Sequence, residues 1–234
     1  MTRTGIDLSS HQGKVDWGKV TAEFAILRAG WSWYEGGMNI DKEFLSNVEG
    51  VQRAGIPWGV YLYGYDRTPA AAEIAAERLA ELLRRYQIPY PVAYDFEDQQ
   101  YFSRSKAENT GICLAFLEAI QRQGYYPMLY TYTSFAASYL EMERLKDYDL
   151  WIADYTGKVG WKGPYGIWQY SGSGTAPGVS GKVDLDRAYR DYPAIIRKAG
   201  LNGYPAEEDG GAVQQENLLL RQQLAEIGTI LDRQ

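Results

Sequence analysis

The feature that most constrains the fold is the order of the apolar segments, which switch between strand-like and helix-like patterns along the chain. Runs rich in β-branched and aromatic residues predict five strands, over 4–8, 24–30, 58–65, 91–97 and 127–133. Three further strands, over 149–155, 166–170 and 182–186, follow closely and are joined by glycine-rich loops too short to hold full helices.

The segments between the first strands carry apolar residues at helical spacing and predict helices over 41–54, 68–86 and 105–123, with a shorter piece at 134–145. Strand–helix alternation favours parallel pairing with right-handed crossovers. Eight strands can close a barrel that their own side chains fill. We therefore predict an α/β fold, an irregular TIM-like (β/α)5β3 barrel over residues 1–205, followed by a short C-terminal helix.

Residues 206–234 have a different character, predicted to be an acidic linker and an amphipathic helix. This segment holds six acids and two bases, which account for −4 of the net charge of −6. Its apolar residues repeat at spacings of four and three, as in a coiled-coil seam with Asn217 at one position. We predict either a helix that packs on the barrel or homo-oligomerisation through residues 213–231. The seam comprises Val213, Asn217, Leu220, Leu224, Ile227 and Leu231.

Composition excludes several classes of protein. A sequence pI near 5.0 argues against nucleic-acid binding, and the absence of a run of about 18 apolar residues argues against membrane insertion. The opening residues MTRTGIDLSSHQG lack a basic segment followed by an apolar one, so no signal peptide is predicted. The chain has one cysteine, Cys113, and one histidine, His11, so we expect no internal disulfide and no zinc site of the usual kind.

Acidic residues fall at three strand ends, where a barrel of this kind places its chemistry. Asp7 ends the first strand, Asp95 and Glu97 end the fourth, and Asp184 and Asp186 lie on the last. In a closed barrel the first and last strands are neighbours, so these acids converge on one pocket. Mutual repulsion and desolvation then keep at least one of them protonated, as glycoside hydrolysis requires. A magnesium or calcium site is the alternative, because hard cations prefer oxygen ligands.

The motifs, in their order along the chain, resemble those of glycoside hydrolase family 25. These enzymes are lysozymes (N-acetylmuramidases) of the Chalaropsis type, common as phage endolysins. The resemblance covers about residues 4–190 and implies hydrolysis of the β-1,4 bond between N-acetylmuramic acid and N-acetylglucosamine in bacterial peptidoglycan, with no cofactor and no metal. The motifs are GIDLSSHQGKVDW, FAILRAG, AGIPWGVYLYGY, PVAYDFED, PMLYTYTSF, LWIADY, YGIWQYS and GKVDLDRAY.

The resemblance also implies roles for individual acids. Glu97 matches the general acid/base of the family, and Asp95 matches the aspartate paired with it. Asp7 and Asp184 match two further active-site aspartates. Asp186 stands where the family tolerates other residues, often Asn, so it is not assigned to the site.

Aromatic residues make up 14% of the chain, and flat aromatic faces stack on sugar rings. Tyrosines alternate along two strands and so share a face on each, while tryptophans follow a strand end or begin the WQY motif. Core packing explains the tyrosines and Trp168 equally well, whereas Trp31 and Trp33 follow a strand end and are expected to line the rim of the groove. The predicted substrate-binding residues are Tyr63, Tyr65, Tyr130, Tyr132, Trp168 and Trp33.

Two alternatives to a muramidase stay open from the sequence: a sugar-binding barrel without activity, and a hydrolase of another N-acetylated polysaccharide such as chitin. For a phage endolysin we expect residence in the host cytoplasm and then release to the cell wall; otherwise we expect an extracellular enzyme. Only about 30 residues follow the barrel, too few for a wall-binding domain. Either the barrel alone supplies the affinity for the wall, or the chain is trimmed, or the tail assembles several copies whose avidity replaces such a domain.

Overall fold

The computed structural model describes residues 2–206. The strands are β1 (Arg3–Leu8), β2 (Phe24–Ser32), β3 (Met38–Ile40), β4 (Trp58–Tyr63), β5 (Val92–Asp95), β6 (Pro127–Tyr132), β7 (Asp149–Ala153), β8 (Ile167–Gly174) and β9 (Val183–Ala188). The α-helices are α1 (Phe44–Arg53), α2 (Pro69–Leu83), α3 (Lys106–Arg122), α4 (Thr133–Tyr139) and α5 (Tyr192–Ala199). Short 3₁₀ turns span Ser10–Gln12, Gln99–Tyr101 and Met142–Leu145.

Eight strands close into a barrel in the order β1-β9-β8-β7-β6-β5-β4-β2, with β1 pairing β2 to complete the ring. Pairings from β1–β2 round to β7–β8 are parallel, whereas β9 is antiparallel to both of its neighbours. The predicted α/β barrel is therefore confirmed, and it is mixed rather than all-parallel. β9 is antiparallel because the short connection after β8 is a hairpin, which returns the chain from the same end of the barrel.

Side chains alternate between the inside of the barrel and the layer under the helices. A glycine is required at position 5, because a Cβ there would lie 2.3 Å from the ring of Phe24 inside the barrel. Phe24 stacks on Tyr90, and both belong to the same buried cluster as Tyr192 of α5. Helix α5 therefore closes one end of the barrel, the end at which the parallel strands begin.

The helix starts follow the capping signals in the sequence. The Thr68 side chain accepts a hydrogen bond of 3.1 Å from the backbone N–H of Ala71, and Pro69 occupies the first turn of α2. Ser105 and Glu108 form a reciprocal capping box at the start of α3. These interactions set where α2 and α3 leave the barrel, and thereby the paths of the loops that follow β4 and β5.

Some elements differ from the sequence prediction. Helix α5 was not predicted, although Asp191 caps it and Pro193 stands in its first turn. The three-residue strand β3 was also not predicted, because so short a segment has no readable period. The helix predicted over 213–231, and the self-association through it, lie outside the described residues and stay predictions. Among residues 2–206, no helix is long and apolar enough to cross a membrane.

Candidate active site

Strand pairing brings the predicted acids together at the open end of the barrel. Asp7 on β1 lies directly opposite Asp184 on β9. Asp95 ends β5, where it pairs with Tyr63 of β4 and Tyr130 of β6. Because β9 runs antiparallel, Asp184 reaches this end near the start of its strand rather than at its finish.

Glu97 lies two residues beyond the end of β5, in the loop, and not within the strand as the sequence predicts. The backbone N–H of Phe96 still donates to the carbonyl of Tyr130, so the loop leaves the sheet only after that residue. Burial raises the pKa of Glu97 to about 7, and the negative charges of Asp184 and Asp98 act in the same direction. A carboxyl group with this pKa can hold a proton near neutral pH and release it to a substrate.

Asp95 lies beside Glu97 and is 5% exposed. Burial and the charge of Glu97 raise the pKa of Asp95, and the positive charge of Arg28 opposes that shift. One oxygen, Oδ1, is buried without a hydrogen-bond partner among residues 2–206. Asp95 Oδ1 is therefore a shielded acceptor that no donor among these residues satisfies.

The two aspartates of β1 and β9 form the other side of the cluster. Burial raises the pKa of Asp7, and the charges of Asp186 and Asp184 add to this shift. Burial also raises the pKa of Asp184, while its hydrogen bond with Asp7 and the charge of His11 oppose the rise. All of the predicted catalytic acids thus lie in one electronegative site.

Arg28 is a site residue that sequence reasoning missed. Its Nε donates 2.8 Å to Asp41 and its NH2 group donates 3.0 Å to Ser10 Oγ, which holds the guanidinium in place. The available signal was a single arginine within the otherwise apolar strand FAILRAG. A charge in such a strand needs a partner; Asp41 is that partner here, and the charge of Arg28 also lowers the pKa of Asp95.

Gln169 and Tyr155 were also missed. Gln169 Nε2 donates 2.7 Å to Asp7 Oδ2, while its Oε1 accepts from Tyr130 at 2.9 Å and from Tyr155 at 2.5 Å. Both tyrosine hydroxyls point at the same amide oxygen, so the amide nitrogen can only face Asp7. This network holds the Asp7 carboxyl group in place through its Oδ2 atom.

Two open grooves flank the acids. The first, the β6–β7 groove, has a volume of about 670 Å³. The second, the β2–β4 groove, has a volume of about 500 Å³. The β6–β7 groove is lined by Glu97, Tyr130, Tyr132, Thr133, Ser134, Ala153, Asp154, Tyr155 and Thr156. The β2–β4 groove is lined by Ser10, His11, Arg28, Trp31, Tyr63 and Tyr65.

The grooves contain four of the aromatic residues predicted to bind substrate. Tyr130 and Tyr132 line the β6–β7 groove, and Tyr63 and Tyr65 line the β2–β4 groove with ring centroids 4.9 Å apart. Because Tyr63 and Tyr130 pair with Asp95 from opposite sides, the two grooves lie on either side of Asp95, and together they are called the cleft. Grooves on both sides of the acids suit a chain of sugars bound across a cleaved bond.

The two predicted tryptophans lie elsewhere. Trp33 is 47% exposed and follows β2, at the turn that leads to β3. Trp168 is on the opposite face of β8 from Gln169, and its indole N–H donates 2.9 Å to the carbonyl of Asp154. Neither residue lines the two grooves, and their contribution to sugar binding stays a prediction.

Comparison with known protein families shows to which family the chain belongs. The model of "Glycosyl hydrolases family 25" matches residues 6–179, which is more than half of the chain. The chain belongs to glycosyl hydrolase family 25. The family resemblance read from the motifs is thereby confirmed.

The chain is also similar to proteins from clostridia and streptococci. The chain is 28% identical to an autolytic lysozyme of Clostridium acetobutylicum over 94% of its own length and 66% of the relative's. It superposes on the modular autolysin LytC of Streptococcus pneumoniae with TM-score 0.72 at 30% identity, over 80% of this chain and 47% of LytC. For the spore cortex lytic enzyme SleM of Clostridium perfringens the TM-score is 0.71 at 26% identity, over 80% of this chain and 67% of SleM. The chain thus spans about two thirds of the clostridial relatives and about half of LytC.

Proposed function

We propose that this family 25 chain is a lysozyme that hydrolyses the β-1,4 bond between N-acetylmuramic acid and N-acetylglucosamine in bacterial peptidoglycan. The observation that carries the proposal is a protonatable Glu97 beside Asp95 in the middle of a tyrosine-lined cleft. LytC has also been solved in complex with a synthetic peptidoglycan ligand, in a structure that this chain matches with TM-score 0.71 at 30% identity.

Glu97 serves as the general acid in the proposed reaction. It donates its proton to the oxygen of the leaving sugar as the bond from that oxygen to C1 breaks. After the leaving sugar departs, the Glu97 carboxylate accepts a proton from the water that attacks C1. The charge of Asp184 supports this role, because it helps to keep Glu97 protonated until substrate is bound.

Asp95 serves the 2-acetamido group of the substrate. Burial and the charge of Glu97 raise the pKa of Asp95, and Arg28 opposes that rise. A protonated Glu97 no longer repels the Asp95 charge, so Asp95 can be ionised beside it and its carboxylate can accept the acetamido N–H. The acetamido carbonyl oxygen then bonds to C1 as the leaving oxygen departs, giving a cyclic cation that the Asp95 charge stabilises. Water opens this ring with net retention of the anomeric configuration.

The test of the proposed function uses purified cell walls. A muramidase lowers wall turbidity and leaves muramic acid at the new reducing ends, which borohydride reduction and hydrolysis reveal. New glucosamine reducing ends would contradict the proposed bond, and activity on chitin without activity on walls would favour the other hydrolase. Sugar binding without any turbidity loss would favour an inactive barrel.

The pH dependence of the reaction follows from Glu97. A general acid must be protonated in the free enzyme, so kcat/KM falls as the pH rises through the pKa of Glu97, which is about 7. An unperturbed glutamate would lose its proton, and with it the activity, near pH 4.3. The measurement is initial rates on soluble peptidoglycan fragments across pH 4 to 9. An alkaline limb centred near pH 4 to 5 would contradict the assignment.

The reaction is expected to need no metal ion. Within residues 2–206, no group of three or more His, Cys, Asp or Glu side chains is arranged to hold one. Dialysis against EDTA should leave the rate unchanged, because proton transfer and charge stabilisation explain the acids. A loss of activity that a divalent cation restores would instead support an oxygen-ligated cation site.

A further inference from the structure

Asp66 is a buried acid, outside the two grooves, to which the proposed mechanism gives no role. It is 0% exposed and lies in the loop between β4 and α2, directly after Tyr65 of the β2–β4 groove. Its Oδ2 accepts two short hydrogen bonds, 2.6 Å from the hydroxyl of Ser32 and 2.7 Å from the hydroxyl of Tyr94. Burying a carboxyl group is costly unless it is hydrogen-bonded, and these two buried hydroxyls offset that cost.

Ser32, the last residue of β2, connects Asp66 to the groove. Its Oγ accepts a hydrogen bond of 2.8 Å from the backbone N–H of Tyr65. A serine hydroxyl has one hydrogen of its own, and the N–H of Tyr65 can only donate, so the Ser32 hydrogen is free to point at Asp66. The three groups therefore form a chain with one direction, from the Tyr65 N–H through the Ser32 hydroxyl to the Asp66 carboxyl group.

Tyr65 depends on this anchor more than its neighbour in the groove does. Tyr63 is the last residue of β4 and pairs with Trp31 in the sheet, and its hydroxyl donates 3.2 Å to Asp98. Tyr65 lies beyond the end of the strand, where strand pairing no longer fixes the backbone. Its ring centroid nevertheless lies 4.9 Å from that of Tyr63, on the wall of the groove. The hydrogen bond to Ser32 is the contact that holds the Tyr65 backbone N–H in this place.

We propose that Ser32 and Asp66 are positioning residues that hold the Tyr65 ring in place on the wall of the β2–β4 groove. The inference rests on the proposed function, in which this groove binds one side of the glycan. The Tyr101 hydroxyl donates to the carbonyls of Gly64 and Asp66 and so secures the chain on both sides of Tyr65. Between these points Ser32 sets the peptide group of Tyr65, and Asp66 orients the Ser32 hydroxyl so that its oxygen faces the Tyr65 N–H.

Two substitutions that each remove one hydroxyl from Asp66 should differ in their effect on substrate binding. Ser32→Ala also removes the acceptor of the Tyr65 N–H. It should raise KM for soluble peptidoglycan fragments roughly 3- to 10-fold, the scale of one hydrogen bond, with kcat little changed. Tyr94→Phe leaves the link from Asp66 to Tyr65 intact, so its KM should equal that of wild type. A merely structural role for Asp66 would make the two variants alike, and equal KM values in them would overturn the proposal.

Tyr65→Leu tests the ring directly, even if Ser32→Ala does not fold. Tyr65 is partly exposed, so this variant should fold, and its KM should rise at least as far as that of Ser32→Ala. Ser32→Ala added to Tyr65→Leu should raise KM no further, because no ring is left to position. A wild-type KM in Tyr65→Leu, or independent effects of the two substitutions on KM, would contradict the positioning role.

The closing experiment does not use activity. Solution NMR of the full chain without substrate should show a slowly exchanging Tyr65 amide and a nuclear Overhauser effect between the rings of Tyr63 and Tyr65. Ser32→Ala should lose both signals, and Tyr94→Phe should keep them. Signals that persist in Ser32→Ala would reject the positioning role even in an active enzyme. If the wild-type protein does not cleave walls, loss of the signals in Ser32→Ala would still support the positioning of Tyr65, and the proposed function alone would be rejected.

Discussion

Glu97→Gln should lower kcat at least about 100-fold, the low end of what general acid–base catalysis contributes. Glutamine has nearly the same shape but cannot donate a proton to the leaving oxygen. Substrate binding in the cleft does not depend on that proton, so KM should change much less than kcat. The measurement is steady-state kinetics on soluble peptidoglycan fragments at pH 6, where wild-type Glu97 is protonated according to its pKa of about 7.

The matched control for this variant is Glu118→Gln, the same chemical change at an exposed position of α3. It should leave kcat and the thermal unfolding midpoint unchanged. Glu97→Gln should also lose the alkaline limb near pH 7 from its residual activity, because the titrating group is gone. Near-normal activity in a folded Glu97→Gln protein would remove Glu97 from the role of general acid.

Asp95→Asn should lower kcat roughly 100- to 1000-fold, the scale of removing one preorganised electrostatic group from an active site. The amide keeps the size of the side chain but removes the negative charge that stabilises the cyclic cation. It also leaves the positive charge of Arg28 without the opposing charge of Asp95. Asp147→Asn, at an exposed position before β7, is the matched control and should behave as wild type.

The stereochemistry of the product separates two explanations for a loss of activity in Asp95→Asn. NMR of the first-formed wild-type product should show retention of the anomeric configuration if the acetamido group attacks C1. Inversion would instead assign Asp95 to activating a water molecule. A trapped ester between the sugar and Asp95 would make Asp95 the nucleophile and contradict assistance by the substrate.

The predictable part of the site consisted of residues whose chemistry is unusual for their position in the sequence. Acids at the ends of apolar strands are unusual, and together with the family motifs they predict Asp7, Asp95, Glu97 and Asp184 without knowledge of the strand pairing. Gln169 and Tyr155 were not, because a glutamine or tyrosine beside a strand end is ordinary. Only their hydrogen bonds to one another and to Asp7 show that they act together.

The sequence by itself determined the barrel, since the switch from strand–helix alternation to three closely spaced strands leaves few other ways to bury eight apolar strands. Local patterns also determined the starts of α2 and α3, because Thr68 and Ser105 cap their own helices. Only the tertiary structure decided how deeply each acid is buried in the barrel and how far its pKa is shifted. The antiparallel direction of β9 places Asp184 at the mouth and Asp186 in the interior, and burial then separates two aspartates that the strand pattern alone presents as equivalent. A pKa depends on what surrounds a group in space, and neighbours such as Trp151 and Arg28 come from strands distant in sequence.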